Sequence, residues 1–267
     1  MKLFGRKSIQ LLIMLMVLST LVVGCSTDNK PATTGGEEKK TLILGLDDTF
    51  APMGFRDEKG EVVGFDIDLS KEVAKRLDVN IEYQPIDWAM KETELNAGNI
   101  DFIWNGYTIT EERKEKVNFT KPYLANSQII VTMADSTVST LADLAGLVVS
   151  AQAESSSIDA AKAQPGFIES LKDGKLIEYA TFNECFNDLE SGRTDAVVVD
   201  EVLARYYMNN KGAEKYKALE ENLGPEEFGI GLRKEDTDLL KQLDDTLDAM
   251  RADGTYDEIY GKWFSKN

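Results

Sequence analysis

The stretch TITEER (residues 108–113) puts an arginine where helix physics disfavours one. Thr110 reads as a helix N-cap, and a capping box wants Glu or Gln three residues later. That position is Arg113. A cation at the positive end of a helix is unfavourable by roughly 0.3–1 kcal/mol. Beside free N-terminal amides, though, a guanidinium makes a concentrated anion site and grips a carboxylate with two parallel bonds. Asp200, closing the apolar run DAVVVD (195–200), supplies the opposite pole, a carboxylate suited to an ammonium. A small molecule with a carboxylate and an amine at one end is an α-amino acid. Plainer readings stand beside this one: Arg113 paired with a surface acid such as Glu112, and Asp200 capping the helix that follows it.

Other chemistry is pruned by what is missing. The sequence has no histidine, so there is no His general base, no Ser-His-Asp triad and no His-ligated metal. Of its 2 cysteines, Cys25 follows an apolar leader and Cys185 sits at helical spacing beside Phe182, which makes it a core residue with no internal disulfide partner. Metal sites built from Cys and His are excluded, and no calcium-loop spacing is present. We expect neither metal nor cofactor. The formal net charge of −17, without a basic cluster, argues against nucleic-acid binding and favours simple solubility.

The elements that must position these residues alternate between apolar runs and amphipathic patterns, which predicts an α/β fold. TLILGL (41–46), IEYQPI (81–86), DFIWNG (101–106), KLIEY (175–179) and DAVVVD (195–200) read as strands. FDIDLSKEVAKRL (65–77), DWAMKETELNAG (87–98) and TFNECFNDLESG (181–192) read as helices, the last with a Thr181–Glu184 capping box. ELNAGNIDFIWNG (94–106) and DLESGRTDAVVVD (188–200) share helix, glycine stop, turn, aspartate and strand at an offset of 94 residues. That is too long for a solenoid repeat and suggests two similar lobes. Ligands in open α/β sheets bind beyond the carboxyl ends of the strands. A cleft between the lobes brings Asn105-Gly106 face to face with Asp200.

The N-terminus fixes the expected compartment. Lys2, Arg6 and Lys7 precede an apolar segment, Ser8 to Val23, and LVVGC (21–25) ends it with a small residue before a cysteine. The segment is shorter than the ~20 residues of a membrane-spanning helix. It resembles a bacterial lipoprotein signal, which implies cleavage before Cys25 and lipid on that residue; an uncleaved anchor is the alternative. STDNKPATTGGEEKK (26–40) reads as a flexible tether reaching roughly 20 Å.

Several motifs in order carry a wider resemblance: DDTFAPMGF (47–55), GEVVGFDIDL (60–69), TITEERKEKVNFTKPY (108–123), SGRTDAVVVDEV (191–202), FGIGLRKED (228–236) and DGTYDEIYGKWF (253–264). Over residues 41–267 the chain resembles the polar amino-acid family of extracellular solute-binding proteins that serve ABC importers. The resemblance implies a two-lobed type II periplasmic-binding-protein-like fold with two hinge strands. It implies residues 1–24 as signal, 25–40 as tether, 41–128 with 223–267 as lobe one, and 129–222 as lobe two. It also implies an extracytoplasmic monomer, held on the outer face of the cell membrane by its lipid alone and served by an ABC permease and its ATPase.

Residue roles follow from the same resemblance. Arg113 and Thr108 match positions that hold the ligand carboxylate, and Asp200 matches the one that holds the ammonium. Asn105 and Gly106 match positions at the ligand's amino end and backbone. Phe50 and Trp88 match the aromatic pair around the ligand side chain, although both also read as plain core. Asp47 matches a side-chain-reading position, and Ser155 a second-lobe donor to the carboxylate. AQAESSS (151–157) departs from the pattern, with Ala153 and Glu154 where many members have Gly and a small residue; this puts Ser155's role in question. Arginine, lysine, histidine, glutamine and cystine all remain as ligands. Glutamate and aspartate are disfavoured, because Asp47, Asp48 and Glu154 would face a like charge in a dry cleft. A dehydratase-like enzyme using Glu154 as general acid or base is the alternative function.

Overall fold

A computed structural model describes residues 39–264, so the leader, Cys25 and most of the tether lie outside the described residues. The first half runs β1 (Thr41–Leu46), β2 (Thr49–Phe50), β3 (Gly54–Arg56), β4 (Val62–Val63), α1 (Phe65–Leu77), β5 (Asn80–Pro85), α2 (Lys91–Asn96), β6 (Phe102–Ile103), α3 (Glu111–Lys116) and β7 (Asn118–Phe119). The long strand β8 (Leu124–Met133) leads into β9 (Val149–Gln152), α4 (Ser156–Lys162), α5 (Phe167–Ser170), β10 (Ile177–Tyr179), α6 (Phe182–Glu190), β11 (Ala196–Asp200), α7 (Glu201–Lys211) and β12 (Tyr216–Ala218). Then β13 (Gly224–Phe228) returns to β14 (Gly231–Leu232), α8 (Thr237–Ala252) and α9 (Thr255–Phe264).

Two sheets carry the two lobes. One has the order β5-β1-β6-β14-β7; the other has β10-β9-β11-β8-β12, with β13 paired to β8. In each, three neighbouring strands are parallel, β5-β1-β6 and β10-β9-β11. β8 does double service. Its first half, from Leu124 to Gln128, pairs antiparallel with β13, and from Gln128 onward it pairs with β11. Gln128 therefore lies opposite both Gly224 and Asp200. β8 and β13 are the two strands that join the lobes.

The apolar faces account for the helices. Phe65, Ile67, Leu69 and Val73 of α1 are buried, and α1 packs against α8 and α9. Phe182, Cys185, Phe186 and Leu189 of α6 are buried against β9 and β11, and the Thr181–Glu184 capping box forms. The helix expected over 87–98 starts as a single 3-10 turn, Trp88–Met90, capped by Asp87. It becomes α-helical only at Lys91. No helix among the described residues is long and apolar enough to cross a membrane.

Candidate functional site

Arg113 is buried, at 5% exposure. Its helix has six residues, so the arginine lies within one turn of both ends and the expected dipole penalty is largely cancelled. Thr110 caps as expected, its hydroxyl accepting from Arg113 N at 3.1 Å. The side chain turns inward over Tyr107, with Cζ 4.7 Å from the ring centroid. Tyr107 is fixed by Trp88, edge-on at 5.7 Å, and by a bond from its hydroxyl to Glu92 at 2.7 Å. Arg113 Nη1 donates to Thr108 O at 3.0 Å, and Nη2 crosses to the second lobe to donate to Glu154 O at 3.1 Å. Glu112 pairs with Lys116 instead.

Lys91, absent from the sequence-based set, is the second cation here. It is 2% exposed, and its Nζ donates to the same Glu154 carbonyl at 3.1 Å and sits 5.2 Å from the Trp88 ring. Burial first, then the neighbouring Arg113 charge, pulls its amine down to about 8. Lys91 and Arg113 line a charged cavity of about 230 Å³ with Glu154, Ser155 and Asp159.

The acid pole lies at the end of β11. Asp200 is 3% exposed, and its carboxylate makes no cap to the helix it precedes. Its Oδ1 accepts from Asn126 Nδ2 at 2.7 Å and Gln128 Nε2 at 2.9 Å. Burial chiefly, and the charge of Glu226 next, hold Asp200 well above the ordinary carboxylate range, while Arg113 pulls the other way. Between the poles, the Thr108 and Ser156 hydroxyls share a 3.0 Å bond across the lobes. Glu226 Oε2 accepts from Thr108 Oγ1 at 3.1 Å and Gln128 Nε2 at 3.0 Å.

The remaining expected residues occupy distinct places. Ser155 Oγ donates to Gln152 O at 2.7 Å, a local bond, so Ser156 is the hydroxyl that reaches Thr108. Asp47 is buried and accepts from Gln152 Nε2 of the other lobe at 2.7 Å. Burial chiefly raises its carboxyl, against the bonds from Thr49 and Gln152. Asn105 Oδ1 accepts from Asp47 N at 3.0 Å, and Gly106 N donates to buried Asp66 at 2.8 Å. Gly106 has φ 58, and a Cβ there would come within 2.7 Å of the Phe50 ring. Phe50 leans on Phe182 of the second lobe at 5.9 Å. Phe50 and Trp88 thus flank the Gly106-Tyr107 segment without forming a ring pair with each other. Arg113 bonds to Thr108, Thr108 reaches Asp200 through Glu226 and Gln128 rather than directly, and Asp47, Asn105 and Phe50 form a separate group beside Gly106.

Lys91 and Glu226 each had a sequence signal. Lys91 stands four residues before buried Leu95, on the same helical face. Glu226 stands two before buried Phe228, on the same strand face.

The profile of the bacterial extracellular solute-binding proteins, family 3, matches residues 42–266. The chain belongs to that family. It is 31% identical to the lysine/arginine/ornithine-binding periplasmic protein of Escherichia coli over 93% of this chain and 95% of that one. It is also similar in structure, with a TM-score of 0.82 and 40% identity, to an ABC uptake transporter substrate-binding protein from Streptococcus pneumoniae with bound histidine, covering 84% of this chain and 92% of that one. An ancestral amino-acid-binding protein described as a precursor of cyclohexadienyl dehydratase matches with a TM-score of 0.77 and 35% identity, over 84% of this chain and 95% of that one. The type II two-lobed fold is shared with these structures.

Proposed function

We propose that this protein is a lipid-anchored, extracytoplasmic substrate-binding protein that captures a polar L-amino acid between its lobes and delivers it to an ABC permease and its ATPase. The observation that carries the reading is that buried Arg113 bonds to Thr108, which in turn bonds to Ser156 of lobe two and leads through Glu226 and Gln128 to buried Asp200. Arg113 and Thr108 take the carboxylate, Asp200 the ammonium, and Phe50, Trp88 and Asp47 surround the side chain. Ser155, Asn105 and Gly106 complete the shell as second-lobe and backbone neighbours. An acid at Asp47 suits cationic and neutral polar side chains alike, so arginine, lysine, histidine, glutamine and cystine all stand as ligands. Lobe one comprises 41–128 and 223–267, and lobe two 129–222. Cys25 carries the lipid.

The dehydratase-like reading draws on the ancestral structure and on Glu154 lining the cavity. What Glu154 presents to Arg113 and Lys91 is its carbonyl, which no acid–base step uses, so binding is the stronger reading.

A thermal-shift screen of the amino acids followed by calorimetry tests the proposal. Removing one member of a buried ion pair costs roughly 3–5 kcal/mol, so Arg113→Ala should lower affinity by on the order of 10²–10³. Arg113→Lys should recover only part, since lysine lacks the fork. A binding constant for Arg113→Ala within about threefold of wild type would mean that this arginine holds no carboxylate.

A further inference from the structure

Glu226 stands on β13, one of the two strands joining the lobes, at a position whose side chain turns inward while Glu227 faces out. Its Oε2 accepts from Thr108 Oγ1, Gln128 Nε2, Asn126 Nδ2 and Ser156 Oγ, at 3.0 to 3.3 Å. Two of these donors, Asn126 Nδ2 and Gln128 Nε2, also bond to Asp200 Oδ1. Both amides are oriented by other bonds: Ser157 Oγ donates to Gln128 Oε1, and Val202 N to Asn126 Oδ1. Two carboxyl groups, one buried and one half-buried, therefore share one pair of neutral amides.

The charges around them are engaged elsewhere. Arg113 on α3 bonds to the carbonyls of Thr108 and Glu154, and Lys91 bonds to Glu154 O and Glu92. Glu201, next to Asp200, is turned to Ser127 and Arg205. From β8 only neutral Asn126 and Gln128 face the pair, and from the α4 turn only Ser156 bonds to it. With Asp200 buried, Glu226 half-buried and both drawing on the same donors, their mutual repulsion favours uptake of a proton or a cation, which the charge of Arg113 only partly offsets.

We propose that Glu226 is a second ammonium-binding carboxylate and that the Asp200–Glu226 pair exchanges a bound proton for the ammonium of the ligand. This rests on the amino-acid-binding reading. The ammonium enters intact, one proton leaves the pair for solvent, and no covalent bond changes. As Glu226 turns to the ammonium, the Thr108 and Ser156 hydroxyls it now holds become free for the ligand carboxylate. Burial and the Glu226 charge both favour a protonated Asp200.

The test uses the full chain in detergent and arginine as probe, which has no group titrating between about pH 5 and 7. Lysine or glutamine replaces it if either gives the larger thermal shift. Absence of a shift with every amino acid defeats the binding function itself. Given binding, calorimetry near pH 7 in phosphate and in Tris should show release of about half to one proton per ligand. Affinity should rise with pH by up to about tenfold per unit. Glu226→Gln should weaken binding by at least about tenfold and cut the proton release by at least about half. Equal enthalpies in the two buffers, an unchanged proton count in the variant, or an affinity within about threefold of wild type would each overturn the proposal. Should Glu226→Gln fail to fold, the wild-type proton count decides.

Discussion

Residues 94–106 of the first lobe and 188–200 of the second repeat the same bonds. Gly98 N donates to Leu95 O and Gly192 N to Leu189 O, both at 3.1 Å. Asp101 Oδ2 accepts from Ile43 N, and Asp195 Oδ2 from Val148 N, both at 2.8 Å. Each aspartate ties its turn to the strand that its own strand will join. Beyond the aspartate the two stretches diverge. In the first, Asn105 and Gly106 bond to Asp47 and Asp66 of their own lobe. In the second, the strand runs on to Asp200, whose carboxylate meets only amides of the joining strand β8. One lobe commits its strand end to its own framework, and the other ends its strand in a buried carboxyl group held by the joining strand. The first stretch also has a staple that the second lacks: Arg233 donates to the carbonyls of Leu95 and Ile100 and to Asp101.

Breaking the charged end should have the largest effect. Asp200→Asn keeps the shape and removes the counter-charge, so affinity measured by calorimetry should drop by on the order of 10²–10³. Unchanged affinity would erase the contrast between the two strand ends.

The acid beneath the other end, Asp66, should act on stability. Burial pushes its carboxyl from 3.8 up to about 8, against bonds from Gly106 and Tyr123. The folded state then binds the proton more tightly than the unfolded chain. That contribution is complete below about pH 4 and is lost as pH rises through 8, a change on the order of a few kcal/mol. Denaturant unfolding of Asp66→Asn across this window should show a flatter pH profile than wild type.

The paired turns sharpen the comparison further. Asp101→Ala strips the half-buried Ile43 N–H of its acceptor and Asp195→Ala the more exposed Val148 N–H just before β9, and each should cost about 0.5–1.5 kcal/mol in urea unfolding. Asp101→Ala should cost more, because Arg233 loses a partner as well; equal losses would mean that the staple contributes nothing. Smallest and most alike should be Gly98→Ala and Gly192→Ala. Both glycines have left-handed φ, 77 and 70, with open space around the missing Cβ. Each change should lower stability by about 1–2 kcal/mol, and by the same amount in both lobes.

Much of the framework was legible because local rules agree with the fold. The bounds of β1 and α1, the Thr181–Glu184 box and the Thr110 cap all follow from periodicity and capping chemistry. The site was legible where a residue broke a local rule, as Arg113 does. Glu226 and Lys91 broke none. A Glu-Glu pair on a strand and a lysine in a charged helix read as solvated faces until one counts back from Phe228 and Leu95. Cross-lobe bonds such as Asp47 to Gln152 join residues far apart in sequence and left no local trace.

Glu154 has φ 55, a left-handed backbone at a residue with a Cβ. That conformation aims its carbonyl at both Lys91 and Arg113. Bonds from charged donors contribute about 1.5–3 kcal/mol each, and every ~1.4 kcal/mol in a barrier is tenfold in rate. Any separation of the lobes has to break both bonds together, because they end on the same carbonyl. A single backbone acceptor, fixed by a left-handed residue, thus ties two lobe-one cations to the second lobe.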